Sequence, residues 1–197
     1  MNSSVLWYTS QATGIVTLVL YTMVMVLGIG VAGQGRLPGL PRFGVVALHR
    51  SISLLSIAFL AAHIVTAIFD SYVNISAVAA IVPFTSSYEP VWIGLGAVAV
   101  DLMIALVVTS LLRDRISPKL WRAVHWLAYA FWPIAILHTI GLGSGSGSLI
   151  SGWGLWLTIG CVLAVFAALG WRIAAQVERS RRTPAQILQT TRSEVRA

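Results

Sequence analysis

Five stretches of the chain are apolar almost without interruption: residues 14–33, 43–69, 91–112, 120–142 and 152–171. Each is near or above the roughly 20 residues that a helix needs to cross a hydrocarbon core about 30 Å thick. None alternates apolar and polar positions with period two, as a transmembrane strand would. The pattern predicts an all-α integral membrane protein, a bundle of five transmembrane helices. The connection over residues 70–90 carries a further apolar run, 75–84, expected to lie on the outer surface or fold back over the bundle. Residues 143–148 read Gly-Ser-Gly-Ser-Gly-Ser, a short flexible turn. No internal repeat marks a transporter built from duplicated halves, and no stretch reads as a soluble domain.

Composition agrees: 57% of the residues are apolar and 10% charged, with a mean hydropathy of +0.85, far from the roughly 25% charged residues of soluble domains. A single cysteine, Cys161, excludes a disulfide within the chain, a Cys-based zinc site and the Cys-x-x-Cys-His attachment of covalently bound haem. The net charge of +7 is explained by where the cations fall. Arg36 and Arg42 follow the first span, Arg113, Arg115 and Lys119 separate the third and fourth, and Arg172 to Arg196 follow the fifth. Arg50 and Arg122 stand at the starts of spans two and four, on the same side. The segment before span one and residues 70–90 and 143–151 contain no Lys or Arg. This asymmetry predicts an N-terminus outside and a C-terminus in the cytoplasm, in the plasma or inner cell membrane. No cation precedes span one, so a cleaved signal peptide is not expected. The chain divides into a transmembrane domain, 1–175, and a basic cytoplasmic tail, 176–197, set against anionic lipid headgroups rather than nucleic acid.

All four histidines fall in spans two and four: His49 and His63, then His125 and His138. An ionisable side chain at membrane depth is a functional candidate by default, although a lone one often only bonds helix to helix. Fourteen residues separate the first pair and thirteen the second, rises of about 21 and 19.5 Å. Spans two and four run in the same direction, with Arg50 and Arg122 fixing their registers. His49 should therefore face His125 near the cytoplasmic side, and His63 face His138 near the outer side. Two such pairs suit two six-coordinate, non-covalent b-type haems, each iron taking an imidazole from either side. Isolated structural histidines or a non-haem metal are the alternatives. A zinc or copper site usually adds carboxylate, Cys or Met, and only Asp101 is at hand. One mismatch stands out: fourteen residues return within about 40° of one helix face, whereas thirteen miss it by about 140°. Pro133 lies between His125 and His138, so a kink or overwound turn is expected near 129–133.

The spacing His-x13-His and His-x12-His two spans later resembles the ferric reductase-like transmembrane domain superfamily. That superfamily includes NADPH oxidases, ferric-chelate reductases and the haem-binding membrane subunit of the periplasmic methionine sulfoxide reductase system. Supporting stretches are Leu48-His49-Arg50-Ser51, the run from Trp121 to Tyr129 around His125, and Leu137-His138; Leu6-Trp7-Tyr8 and Ala12-Thr13-Gly14 look like small single-domain actinobacterial members. The resemblance covers roughly residues 5–175 and implies an inner haem on His49 and His125 and an outer haem on His63 and His138. NADPH oxidases continue into a flavin and nicotinamide domain. Here about 25 residues follow span five, without a Gly-rich dinucleotide fingerprint. The expected donor is therefore a separate flavoprotein, carrying FMN or FAD, or membrane quinol, and the acceptor an outer-side substrate or reductase partner.

Other residues have two readings each. Arg50 and Arg122, and less so Lys119, are candidates for the inner haem propionates or ordinary snorkelling cations. Tyr72, Thr139, Ser144 and Ser146 are candidates for the outer propionates. Asp101, central in span three, is expected to be a buried acid, neutral or paired within the bundle, that bonds an imidazole, relays a proton or satisfies another helix. Phe59, Phe131 and Trp132 lie between the two histidine levels, as electronic bridges or as packing. Trp7, Trp92, Trp121, Trp126, Trp153 and Trp171 fit an interfacial belt. Cys161 reads as a packing residue, and Gly28, Gly30, Gly94 and Gly96 as sites of close helix contact. The chain thus reads as a di-haem membrane cytochrome b, the electron-transfer subunit of an oxidoreductase. The alternatives are a quinol-oxidising cytochrome b subunit feeding an external reductase, and a non-enzymatic transporter or assembly protein.

Overall fold

The computed structural model describes residues 3–32, 41–71, 73, 75–145 and 152–194. Six helices account for nearly all of it: α1 (Ser3–Ala32), α2 (Arg42–Phe69), α3 (Pro90–Leu111), α4 (Pro118–His125), α5 (Ala128–Gly145) and α6 (Trp153–Glu194). No strand occurs among the described residues. Five segments are long and apolar enough to cross a membrane: Val5–Val31, Phe43–Phe69, Pro90–Leu111, Pro118–Gly143 and Trp153–Ser180. The fold is the expected five-span bundle. Span one begins nine residues before the apolar run because its early hydroxyls are absorbed by the helix itself. Thr9, Thr13 and Thr17 each donate to the carbonyl four residues back, at 2.7 Å. The fifth span extends without interruption into the basic tail as one helix to Glu194.

Prolines and a hydroxyl set the helix starts. The Pro41 carbonyl accepts from Gly44 and Val45 to begin α2, and Pro90 occupies the first turn of α3. At α4 the Ser117 side chain accepts from the Leu120 amide at 3.2 Å, with Pro118 next to it. α1 packs chiefly against α2, and α3 against α5, while α1 also meets α5 and α6. Leu18, Met25, Ile29, Leu106, Ile136 and Val165 fill the core between them, together with Cys161.

The fourth span is two helices. Carbonyls of Val124, Trp126 and Leu127 accept from amides three residues on, at 2.9, 3.1 and 3.0 Å. Such 3₁₀ turns advance about 120° per residue against about 100° in an α-helix, so the break overwinds the span. That rotates it in the sense that a thirteen-residue spacing needs. The expected distortion is present but starts earlier than 129–133, between α4 and α5, and Pro133 continues inside α5.

The described residues between 70 and 89 fold back over one end of the bundle. Val73 and Ala79 are buried there, and the Phe84 ring, on a residue with φ 65°, lies against Gly94 of α3. No Cβ fits at Gly94 beside that ring.

Candidate functional site

Next to the loop that follows α2, helices α1, α2, α3 and α5 line a cavity of about 200 Å³ whose lining includes Ser10, Gly14, His63, Asp70, Gly96 and His138. That is more than ten times the space one water requires. The His63 ring of α2 and the His138 ring of α5 meet there, with centroids 6.4 Å apart and planes at 82°. Two imidazoles bound to opposite sides of one metal, at about 2.0 Å per bond, have centroids roughly 6.3 Å apart. The pair therefore stands at the separation of two axial ligands.

Main-chain carbonyls hold these rings. His63 Nδ1 donates to the Ser10 carbonyl at 2.8 Å, and His138 Nδ1 donates to the Trp92 carbonyl at 2.7 Å. Against a carbonyl Nδ1 can only donate, so Nε2 keeps its lone pair and is the nitrogen free to bind a metal. Each accepting carbonyl lies four residues before a glycine of the same helix, Gly14 on α1 and Gly96 on α3. A Cβ at Gly14 would stand 3.0 Å from His63 Cε1 and Nδ1, and one at Gly96 only 2.6 Å from His138 Cε1. The missing side chains let the rings reach the helix backbone.

His49 follows the same rule at the opposite end: its Nδ1 meets the Val24 carbonyl at 3.1 Å, with Gly28 four residues on and against the ring. His125 closes α4. Its Nδ1 is buried without a hydrogen-bond partner, and its ring stacks on Trp121, centroids 4.8 Å apart and planes at 20°. Neither His49 nor His125 lines the large cavity.

The remaining candidates divide. Phe131 and Trp132 are buried in the core; Phe131 meets Tyr21 edge to face, and Trp132 Nε1 donates to Thr22 Oγ1 at 3.1 Å. Phe59 is half-buried. Thr139 lines the cavity, with its hydroxyl given to the Ala135 carbonyl. Tyr72 and Ser146 lie outside the described residues, as does the side chain of Ser144. Arg50, Lys119 and Arg122 are exposed, and Arg122 Nε donates to the Pro118 carbonyl. Trp126, Trp153 and Trp171 are exposed as a belt would be. Trp92 and Trp121 instead turn against the bundle, Trp92 onto Gly141 and Trp121 onto His125. Gly30 meets nothing within 4 Å.

The expectation for Asp101 is corrected: it is exposed, not buried. It shares an outward face of α3 with Ile104, Val108 and Leu111, and α3 is apolar around its whole circumference, so no polar stripe in the sequence betrays its rotation. The buried acid is Asp70, 2% exposed, seven residues after His63 and in the cavity lining. Nothing in the sequence singles it out, and it closes the end of an apolar run where the following loop returns over the cavity. Also unforeseen is Arg172 of α6, which donates to the Tyr129 hydroxyl at 2.9 Å. The accepting carbonyls left no trace in side-chain chemistry, and only the glycines that follow them hint at their position.

No curated protein and no solved structure matches the chain. Residues 13–136 match the family described as ferric reductase like transmembrane component. The matched segment holds Gly14, Gly28 and Gly96 together with His49, His63 and His125, and ends two residues before His138. It spans well over half of the sequence, and the chain belongs to the ferric reductase-like transmembrane family.

Proposed function

We propose that the chain is a b-type di-haem membrane cytochrome that moves electrons from a cytoplasmic-side donor to an acceptor on the outer side. The observation that carries this reading is the His63–His138 pair, 6.4 Å apart, each Nδ1 tied to a carbonyl. Among the described residues no group of three or more His, Cys, Asp or Glu gathers to hold a metal ion. Two imidazoles alone leave a bare ion under-coordinated, whereas a porphyrin brings four equatorial nitrogens and needs only two axial ligands. Bound there, haem would supply one-electron chemistry.

The chain's own residues hold and orient. His63 and His138 are the proposed outer axial ligands, and His49 and His125 the inner ones. The Ser10, Val24 and Trp92 carbonyls set the tautomer and orientation of three of them. Held by an imidazole from each side, a haem would be suited to electron transfer rather than to binding oxygen. Arg50 and Arg122, exposed at the inner boundary, are the cations proposed to meet the inner propionates. Family membership supports transmembrane electron transfer within an oxidoreductase system. The Lys and Arg asymmetry supports an orientation with α1 starting outside. A separate flavoprotein or quinol is the proposed donor.

The test is a pyridine haemochrome assay on the purified chain. Two haems per chain is the expected result, with His49→Ala and His63→Ala each losing a different one. A chain purified without haem ends this reading.

A further inference from the structure

Three of the four histidines share one arrangement: a ring Nδ1 against a neighbouring helix's carbonyl, with a glycine four residues later admitting the ring. His63 has it at 2.8 Å, His138 at 2.7 Å and His49 at 3.1 Å. His125 has no such acceptor, and its Nδ1 is buried without a partner. The side chain against it is Trp121, one turn earlier on the same helix, stacked at 4.8 Å and 20°. The Arg113 guanidinium lies 4.8 Å from the centre of the Trp121 ring, a cation–π contact. The indole Nε1 is also buried without a partner, so the indole is held by its faces rather than by its polar edge.

We propose that Trp121, braced by Arg113, is the positioning residue for His125, and that the inner site is thereby the more weakly held and higher-potential of the two. This rests on the di-haem reading above. A hydrogen bond from Nδ1 to a carbonyl fixes the ring and makes Nε2 a stronger donor. A stronger donor favours ferric over ferrous iron and lowers the reduction potential. The outer site has two such bonds, both short; the inner site has one, the longest of the three. The Arg113 charge acts in the same direction, since a nearby cation favours the less positive ferrous state. Stacking supplies orientation to His125 without that gain in basicity.

The experiment is an optical redox titration of the purified full chain, with electron paramagnetic resonance of the oxidised haems. Two waves are expected, the higher one absent in His49→Ala and retained in His63→Ala. Trp121→Ala should weaken retention of the inner haem alone, by about 10–100-fold, and alter its resonance signal, while Trp121→Phe restores both. A single wave, or a higher wave that disappears with His63→Ala, overturns the inference even if Trp121→Ala fails to fold. So does an inner haem whose occupancy and signal ignore Trp121→Ala. In all these outcomes two haems per chain leave the functional reading standing; absence of haem defeats that reading first.

Discussion

Replacing Gly96 with alanine places a methyl carbon 2.6 Å from His138 Cε1 and 2.7 Å from Nδ1. Ordinary contact begins near 3.4 Å, so the ring must retreat by about 0.8 Å. A retreat of that size lengthens the 2.7 Å bond from Nδ1 to the Trp92 carbonyl to about 3.5 Å, outside hydrogen-bonding range. A buried N–H left unsatisfied costs about 1–3 kcal/mol, and 1.4 kcal/mol is tenfold in affinity. Gly96→Ala should thus weaken haem binding at the outer site by about 5–150-fold. At Gly14 the closest approach is 3.0 Å, a retreat of about 0.4 Å that leaves the 2.8 Å bond from His63 near the edge of the range. Its loss should be partial. At Gly28 the nearest His49 atom is already 3.4 Å away, and alanine should be tolerated.

The helix itself gains in every case, because alanine is better than glycine in a helix interior by about 1 kcal/mol. That gain offsets part of the cost of the displaced ring, so haem content and unfolding are measured separately. Haem-to-protein ratios of the three purified variants, with thermal unfolding alongside, make the assay. The expected order of haem retention is Gly28→Ala equal to wild type, then Gly14→Ala, then Gly96→Ala. If Gly96→Ala keeps its haem, or Gly28→Ala loses as much, the glycines are not there for the histidines and the cradle argument fails.

Three further outcomes are expected. The His63 and His138 planes cross at 82°, so the oxidised outer haem should give a highly anisotropic low-spin resonance; a rhombic signal typical of parallel imidazoles would contradict that geometry. Asp101 faces out of the bundle, so Asp101→Leu should leave haem content unchanged and raise thermal stability in detergent; loss of a haem would show that it acts inside. Trp132→Phe removes the 3.1 Å bond to Thr22, while Thr22 still donates to the Leu18 carbonyl. It should lower stability by about 0.5–1.5 kcal/mol without displacing haem, checked by chemical unfolding.

What the sequence made legible is what depends on length and spacing. Five apolar runs gave five spans, and the distance from His125 to His138 already demanded an overwound turn. Rotation about a helix axis was not legible, since spans of nearly uniform apolarity bear no stripe to mark the inward face. The expected burial of Asp101 failed for this reason. The acid in mid-span faces out, and the acid at a span's end is enclosed by a loop that the apolar run 75–84 folds inward. The ring-holding acceptors were hidden more deeply, because every residue has a carbonyl. Only Gly14, Gly28 and Gly96 marked which ones a side chain can reach, and Gly30 and Gly94 resemble them in sequence without touching a histidine.

The glycine cradles also explain why the bundle is arranged as pairs. A helix carbonyl already accepts from the amide four residues on, and the Cβ of that residue normally shields it. Gly14, Gly28 and Gly96 remove the shield, so α1 can hold both histidines of α2 and α3 can hold His138 of α5. These are the two most extensive helix pairings in the fold. α1 and α3 contribute backbone, while α2 and the α4–α5 span contribute imidazoles. The overwound turn lets one span present His125 and His138 together, but it ends α4 at His125. Of the four rings, this is the one left to a neighbour on its own helix. The same break that aligns the fourth span with two levels therefore accounts for the asymmetry between them.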